Sequence, residues 1–209
     1  MKRFCFLLAF LAFFLSQSVY AQVNEGTITY SLDFPELEIP AAQKSLLPSE
    51  AIAYFKGGNY RNEITGGMGM KSITISNEKE SVMLLDIMGN KKAIKNVIKK
   101  DSKSNRVKIT DEKKRIAGYD CQKAILSTGD GEIVDVWFTK DISGGGSWGG
   151  SFGEINGAPL EYIIDNKGMK IKMTAVKVSA EKVNLNVFDI PEGYKEVSEK
   201  ELRNSKLGE

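Results

Sequence analysis

Histidine is absent from this chain of 209 residues. Histidine is the commonest general base in enzymes and the commonest metal ligand. Its absence excludes Ser-His-Asp and Cys-His catalytic sites built from this chain alone. Two Ser-x-x-Lys matches, at 76–79 and 179–182, lack the companion motifs of serine–lysine enzymes, and we interpret them as chance. The sequence therefore predicts no catalytic residue, no metal site and no cofactor, and it favours a protein that is not an enzyme.

Long apolar runs are scarce, and the longest lies at the N-terminus. Lys2 and Arg3 precede the apolar run 4–15, and small side chains at the end of Val19-Tyr20-Ala21 fit a signal-peptidase site. This is the pattern of a secretory signal peptide. A run of about twelve residues is too short to span a bilayer as a helix. We expect residues 1–21 to be cleaved off, which leaves an exported protein without a transmembrane anchor.

Cysteine is too scarce to cross-link the mature chain. Cys5 leaves with the signal peptide and Cys121 remains alone. No intramolecular disulfide can then form, so the fold depends on its apolar core. Cys121 lies in an expected strand and is predicted to be a buried structural thiol, with redox or acylation chemistry as the alternative.

Neither sign of charge is in excess in the mature chain. Lys2 and Arg3 leave with the signal peptide, so 29 basic residues become 27 and equal the 27 acidic ones. We expect no nucleic-acid partner. Segment 91–115 holds 11 basic and three acidic residues, and we interpret it as solvated strand edges. The alternative is a patch that faces anionic headgroups or an acidic partner.

The sequence does contain the periodicity of β-strands. Residues 27–34 alternate polar and apolar side chains, and the same period recurs at 72–76, 169–173 and 183–187. Short loops rich in Gly, Asn and Asp separate such runs, as hairpins require. We predict a mainly β fold for residues 22–209: one domain whose antiparallel meander curls into an incomplete barrel.

Two short helices are predicted beside the strands. One or two helical turns fit between Pro40 and Pro48. Ser198 and Glu201 have the spacing of a capping box, which indicates a short C-terminal helix.

A glycine-rich segment, 143–153, carries two large side chains, Trp148 and Phe152. Strands 82–87 and 133–138 have apolar residues on both faces, so they need a second apolar layer. We predict that this segment helps to close a concave apolar face that binds a ligand; the alternative is an ordinary packed core. The candidate ligand-binding residues have aromatic or large apolar side chains: Tyr30, Tyr54, Phe138, Trp148, Phe152, Tyr162 and Met173.

Six motifs occur in order along the mature chain, at 25–30, 54–57, 84–93, 116–121, 136–142 and 190–194. Together they resemble an uncharacterised family of exported domains of Bacteroidota-type bacteria. That family is similar to the LolA/LolB-like proteins, incomplete barrels with a helical lid, several of which carry lipid or lipoprotein acyl chains. The resemblance implies a periplasmic protein with a hydrophobic groove.

The predicted function is therefore a periplasmic carrier or binding protein for a hydrophobic ligand. The expected partner is a lipid or a lipoprotein acyl chain. The alternative is an envelope interaction or scaffold protein with a solid core, whose partner would be another envelope protein.

Overall fold

The computed structural model of the protein contains one twelve-stranded β-sheet. It describes residues 22–97, 106–127, 133–144, 148, 152, 155–166, 168–198 and 201, so the predicted signal peptide lies outside the described residues. The strands are β1 (Glu25–Asp33), β2 (Glu50–Lys56), β3 (Asn59–Thr65), β4 (Lys71–Ser76), β5 (Glu80–Ile87), β6 (Asn90–Val97), β7 (Arg106–Ile116), β8 (Tyr119–Ser127), β9 (Ile133–Thr139), β10 (Ala158–Asn166), β11 (Met169–Ser179) and β12 (Lys195–Glu196).

Two antiparallel meanders meet in the middle of the sheet. Strands β1 to β6 follow one another on one side, strands β11 to β7 follow one another on the other, and β1 pairs with β11. Strand β12 extends the sheet by pairing in parallel with β6. The sheet order places β12 and β7 at its two ends. The prediction of a mainly β, antiparallel, incomplete barrel is confirmed.

The sheet curls toward one face. The side chains of Tyr60 on β3 and Tyr162 on β10 interact with each other, although β2, β1 and β11 lie between their strands. We call this the concave face. Apolar side chains of β1, β2, β8, β9, β10 and β11 form the main core there, among them Ile28, Phe55 and Phe138.

Tight two-residue turns join several neighbouring strands. Gly57 and Gly58 have φ values of 55° and 82°, and both residues of Met88-Gly89 and of Ala117-Gly118 also have positive φ. Two positive φ values in succession match the right-handed twist of the flanking strands, which is why such turns make hairpins.

A second, smaller core lies on the opposite, convex face. Apolar side chains of β4, β5 and β6 form it: Ile73, Ile75, Val82, Leu84 and Ala93. Phe188 and Tyr194 pack against it from the C-terminal segment, residues 185–196. The Arg61 guanidinium fastens this segment by donating a hydrogen bond from Nη1 to the Val187 carbonyl at 2.9 Å. The chain itself thus covers Val82 and Leu84 on this face, whereas Met83 on the opposite face of β5 is exposed.

Helical structure is limited to short turns in the described residues. Helix α1 (Ala41–Lys44) is a single turn between Pro40 and Pro48, as predicted. The predicted capping box is formed, because Ser198 N donates to Glu201 Oε2 at 2.7 Å and Glu201 N donates to Ser198 Oγ at 3.2 Å. No described helix is both long enough and apolar enough to cross a bilayer. Cys121 is buried, as predicted.

Candidate functional site

Two aromatic side chains of the glycine-rich segment fill the concave face. The Trp148 ring lies 5.4 Å from the Phe55 ring and 5.7 Å from the Tyr60 ring, centre to centre. The Phe152 ring lies 4.7 Å from that of Tyr162 in an edge-to-face arrangement. Such contacts stabilise aromatic pairs by about 0.5–1.5 kcal/mol beyond the area they bury. Trp148 and Phe152 are therefore core residues that pack into the concave face.

Backbone contacts hold the start of this segment. Ser143 N donates to the Val23 carbonyl, and Gly58 N donates to the Gly144 carbonyl, each at 2.8 Å. Gly144 has a φ of +92°, and a Cβ built there would lie 2.1 Å from the Asn24 carbonyl oxygen. Only glycine allows this close approach, so Gly144 determines where the segment leaves the sheet.

Three buried tyrosines cross the concave core. Burial raises the pKa of Tyr30, Tyr60 and Tyr162 above the ordinary value of 10, because the phenolate form would lose its hydration. The Tyr30 hydroxyl donates to the Pro159 carbonyl at 2.7 Å. These phenols therefore stay protonated at neutral pH and serve as hydrogen-bonding groups within the core.

Six of the seven predicted ligand-binding residues come together in this core, where Tyr30, Phe138, Trp148, Phe152, Tyr162 and Met173 are all buried. Tyr54 is separate, because it pairs across the strands with Arg61 and so lies on the convex face, where it is half-buried. The sequence thus predicted correctly that these six side chains lie together in the structure. Ligand binding by these residues stays a prediction.

A strip of polar side chains continues the concave face beyond Tyr60, and the sequence analysis missed it. Asn62 on β3 lies opposite Thr74 on β4, and Tyr60 lies opposite Ser76. Cross-strand partners share a face, so these side chains and Ser72 face the same way as Tyr60. We call Asn62, Ser72, Thr74 and Ser76 the polar strip. The alternation in 72–76 predicted the strand, but it could not tell which face would be covered.

A charged cluster lies on the convex face. Lys114 Nζ of β7 is 2.6 Å from Glu161 Oε1 of β10, and Lys172 Nζ of β11 is 3.6 Å from the same oxygen. The Lys114 ammonium also lies 4.3 Å from the centre of the Trp137 ring. These contacts tie the β7–β8 hairpin to β10 and β11, so we interpret the cluster as a structural clasp.

Carboxylates do not gather into a metal site in the part of the chain that the structure describes. No three His, Cys, Asp or Glu side chains are placed there to hold an ion. The Lys56–Glu25 contact of 2.6 Å is an ion pair between neighbouring strands. The hydrogen bond from Lys56 lowers the pKa of Glu25 below 4.5.

Comparison with known proteins gives a family for this architecture. The family model described as "N-glycanase peptide, N-terminal domain" matches residues 62–199. Two solved structures of PNGF-II, in space groups P21 and C2, each align with a TM-score of 0.55 over 86% of this chain, at 18% and 16% identity respectively. The chain spans only 32% of the length of PNGF-II. A search of curated proteins gave no match.

These findings overturn three expectations. The resemblance to LolA/LolB-like carriers was wrong, because the family match and the PNGF-II fold point to N-glycanases. The functions derived from that resemblance, a lipid or acyl-chain carrier and the alternative envelope scaffold, were wrong for the same reason. The strands of any incomplete barrel show the same periodicity, so the sequence pattern could not distinguish LolA/LolB-like carriers from N-glycanase domains.

The expectation that the chain is not an enzyme was also wrong, because it rested on missing histidine, whereas the matching family is named for an N-glycanase. The absence of one residue type excludes the sites built from it and leaves other chemistry open. The family model covers well over half of the chain, from within β3 to just beyond β12. The chain belongs to the family of N-glycanase peptide N-terminal domains.

Proposed function

We propose that this protein takes part in the enzymatic removal of N-glycans, and that its role is to bind the N-glycosylated polypeptide. The observation that carries this proposal is the match of residues 62–199 to the N-terminal domain of an N-glycanase. The chain has the length of about a third of PNGF-II, which suits one domain of a larger deglycosylating system.

The concave face supports a binding role. Its core is filled by aromatic rings, because Trp148 packs on Phe55 and Tyr60. Next to this core lies the polar strip of one amide and three hydroxyls. Carbohydrates carry hydroxyl groups that both donate and accept hydrogen bonds. Amide and hydroxyl side chains match them, since they can also do both.

Export of the protein belongs to the same proposal. Residues 1–21 would direct it to the periplasm, and residues 22–209 would form the mature single domain. Glycosylated polypeptides that arrive from outside the cell would meet it there.

Binding to an immobilised N-glycoprotein tests the proposal. The mature chain is passed over the glycoprotein before and after its N-glycans are removed, and surface plasmon resonance records both. We expect binding to the glycosylated form and at least a tenfold weaker response to the deglycosylated form. Equal responses, or no response to either, would reject the proposal.

A further inference from the structure

Two buried side-chain oxygens of the polar strip have no hydrogen-bond partner. They are Asn62 Oδ1 and Ser76 Oγ. Ser76 is only 3% exposed. The two residues lie on neighbouring strands, since Asn62 is opposite Thr74 and Ser76 is opposite Tyr60, which makes them diagonal neighbours on one face. Diagonal pairs of this kind are about 7–8 Å apart at their backbones. Each oxygen has less than 1 Å² of accessible surface, so one ligand contacts both only when the neighbouring side chains move aside.

Unpartnered buried oxygens are unfavourable for the folded chain alone. A polar group that is removed from water without a new hydrogen bond loses stability, and native proteins contain few of them. Alanine at position 76 would avoid this loss without disturbing the strand. Positions that break such a local rule are expected at functional sites, where a ligand completes the interaction.

The chemistry around the two oxygens indicates a neutral ligand with many hydroxyls. Ser72 and Thr74 are half-buried on the same face. On β5, Ser81 lies opposite Ser76 and is half-buried, whereas the apolar Met83 and Leu85 lie opposite Thr74 and Ser72. All these side chains are uncharged. A phosphate or a cation would call for a charged partner, whereas hydroxyl and amide groups suit a carbohydrate.

The neighbouring aromatic ring adds an apolar surface. Tyr60 pairs with Ser76 across β3 and β4, and Trp148 packs on its ring at 5.7 Å. The strip is thus bounded on one side by the aromatic core. Binding sites for small ligands commonly combine such an apolar wall with a few placed polar groups.

We infer that the polar strip is a carbohydrate-binding site, in which Asn62 and Ser76 hydrogen-bond to hydroxyl or acetamido groups of an N-glycan. This inference rests on the proposed function and assigns it to one site. Asn62 Oδ1 accepts from a ligand O–H or N–H, and the Ser76 hydroxyl donates to or accepts from a ligand oxygen.

The test compares affinity with stability in the same variants. The probe is a synthetic peptide whose asparagine carries two N-acetylglucosamine units, titrated calorimetrically into wild type, Ser76→Ala and Asn62→Ala. We expect each substitution to raise the Kd about tenfold, which corresponds to the loss of one well-formed hydrogen bond. We also expect Tm to stay constant or rise by ~2–4 °C, because an unpartnered buried oxygen is removed.

Ser31→Ala is the matched control. Ser31 lies on β1 and donates a long hydrogen bond of 3.3 Å to the Thr174 carbonyl, away from the strip, so its Kd should equal that of wild type. If wild type binds and both strip variants bind equally well, the strip is not the site although the proposed function survives. If wild type does not bind, the proposed function itself fails. If Ser76→Ala lowers Tm, the hydroxyl serves the fold and the inference is overturned.

Discussion

At the scale of single residues, a few non-glycine residues have a strained backbone conformation. Met88 has a φ of 53° although it is not glycine. The left-handed region costs such a residue about 1 kcal/mol or more. Its partner in the turn, Gly89, adopts the same region without this cost. The turn between β5 and β6 was predictable from Gly89-Asn90-Lys91, but the strained residue before it was not.

Met88→Asn should therefore stabilise the protein. Asparagine tolerates the left-handed region better than methionine does, and the side chain is 77% exposed, so no packing is lost. We expect a Tm increase of ~2–4 °C, measured by thermal unfolding. Met70→Asn is the control: Met70 is also exposed, at 44%, but has a φ of −77°, so it should gain nothing. A gain at both positions would contradict the account of strain.

Cys121 illustrates what a residue's surroundings do to its chemistry. Burial raises the pKa of its thiol from 9.0 to about 11. The thiolate is the reactive form. Its buried position in the strand was predicted from the sequence, and the raised pKa of its thiol follows from that position.

We expect Cys121 to resist alkylation in the folded protein. Iodoacetamide at pH 8 should label the native chain at least a hundredfold more slowly than the chain in denaturant, as followed by intact mass. Complete labelling of the native protein at the rate of the unfolded one would show that the thiol is accessible.

At the scale of elements, close backbone contacts hold the start of the glycine-rich segment. Its role in covering the concave face was foreseen from Trp148 and Phe152. The contact between Gly144 and Asn24 was not, since it joins positions far apart in sequence that no local pattern relates.

Gly144→Ala should loosen this segment. The added Cβ would meet the Asn24 carbonyl oxygen at 2.1 Å, which forces the backbone to shift. We expect the free energy of unfolding to fall by about 2 kcal/mol or more, with a red shift of tryptophan fluorescence as Trp148 becomes hydrated. Gly168→Ala is the control, because Gly168 has a similar φ of +89° but nothing within 4 Å of its built Cβ. Equal losses in both variants would assign the effect to φ alone.

A network of charged side chains on β3 and β4 contacts the C-terminal segment. The Arg61 guanidinium, bonded to the Val187 carbonyl, is 2.7 Å from Glu63, and Lys71 is 2.8 Å from the same carboxylate. Burial acts to raise the pKa of Glu63, but hydrogen bonds from Lys71 and Arg61 outweigh it and lower the pKa below 4.5.

A lowered carboxyl pKa makes stability depend on acid. The contribution of Glu63 is complete above its ordinary pKa of 4.5 and is lost as the pH falls through its lower value in the folded state. Glu63→Gln should therefore reduce stability at pH 7 and flatten the decline of urea-unfolding free energy below pH 4.5. An unchanged slope in the variant would show that the network does not report on this carboxylate.

At the scale of the whole molecule, alternation and turn residues predicted the antiparallel sheet and its incomplete closure. The grouping of Tyr30, Phe138 and Tyr162 on one face of the sheet was predicted as well, although as candidate ligand-binding residues, with a packed core as the alternative. What sequence could not supply was the pairing of β1 with β11, which places the two meanders side by side, or the choice of covered face along β4. The polar strip went unnoticed for that second reason.

The family also lay beyond the physical pattern. Strands of any incomplete barrel repeat the same two-residue period, so periodicity does not identify a family. The apolar side chains expected on the concave face therefore suggested a carrier. Trp148 and Phe152 pack into that face, and the family match replaces the carrier interpretation with membership of the N-glycanase N-terminal domain family.

Mapping of chemical shifts in solution tests the central claim most directly. The mature protein, labelled with nitrogen-15, is titrated with the Asn-linked N-acetylglucosamine peptide and, separately, with the same peptide without sugar. We predict that the glycopeptide shifts the side-chain amide signals of Asn62 and the backbone signals of β3 and β4, and that the bare peptide leaves them unchanged. Identical shifts with both peptides, or none with either, would contradict the account.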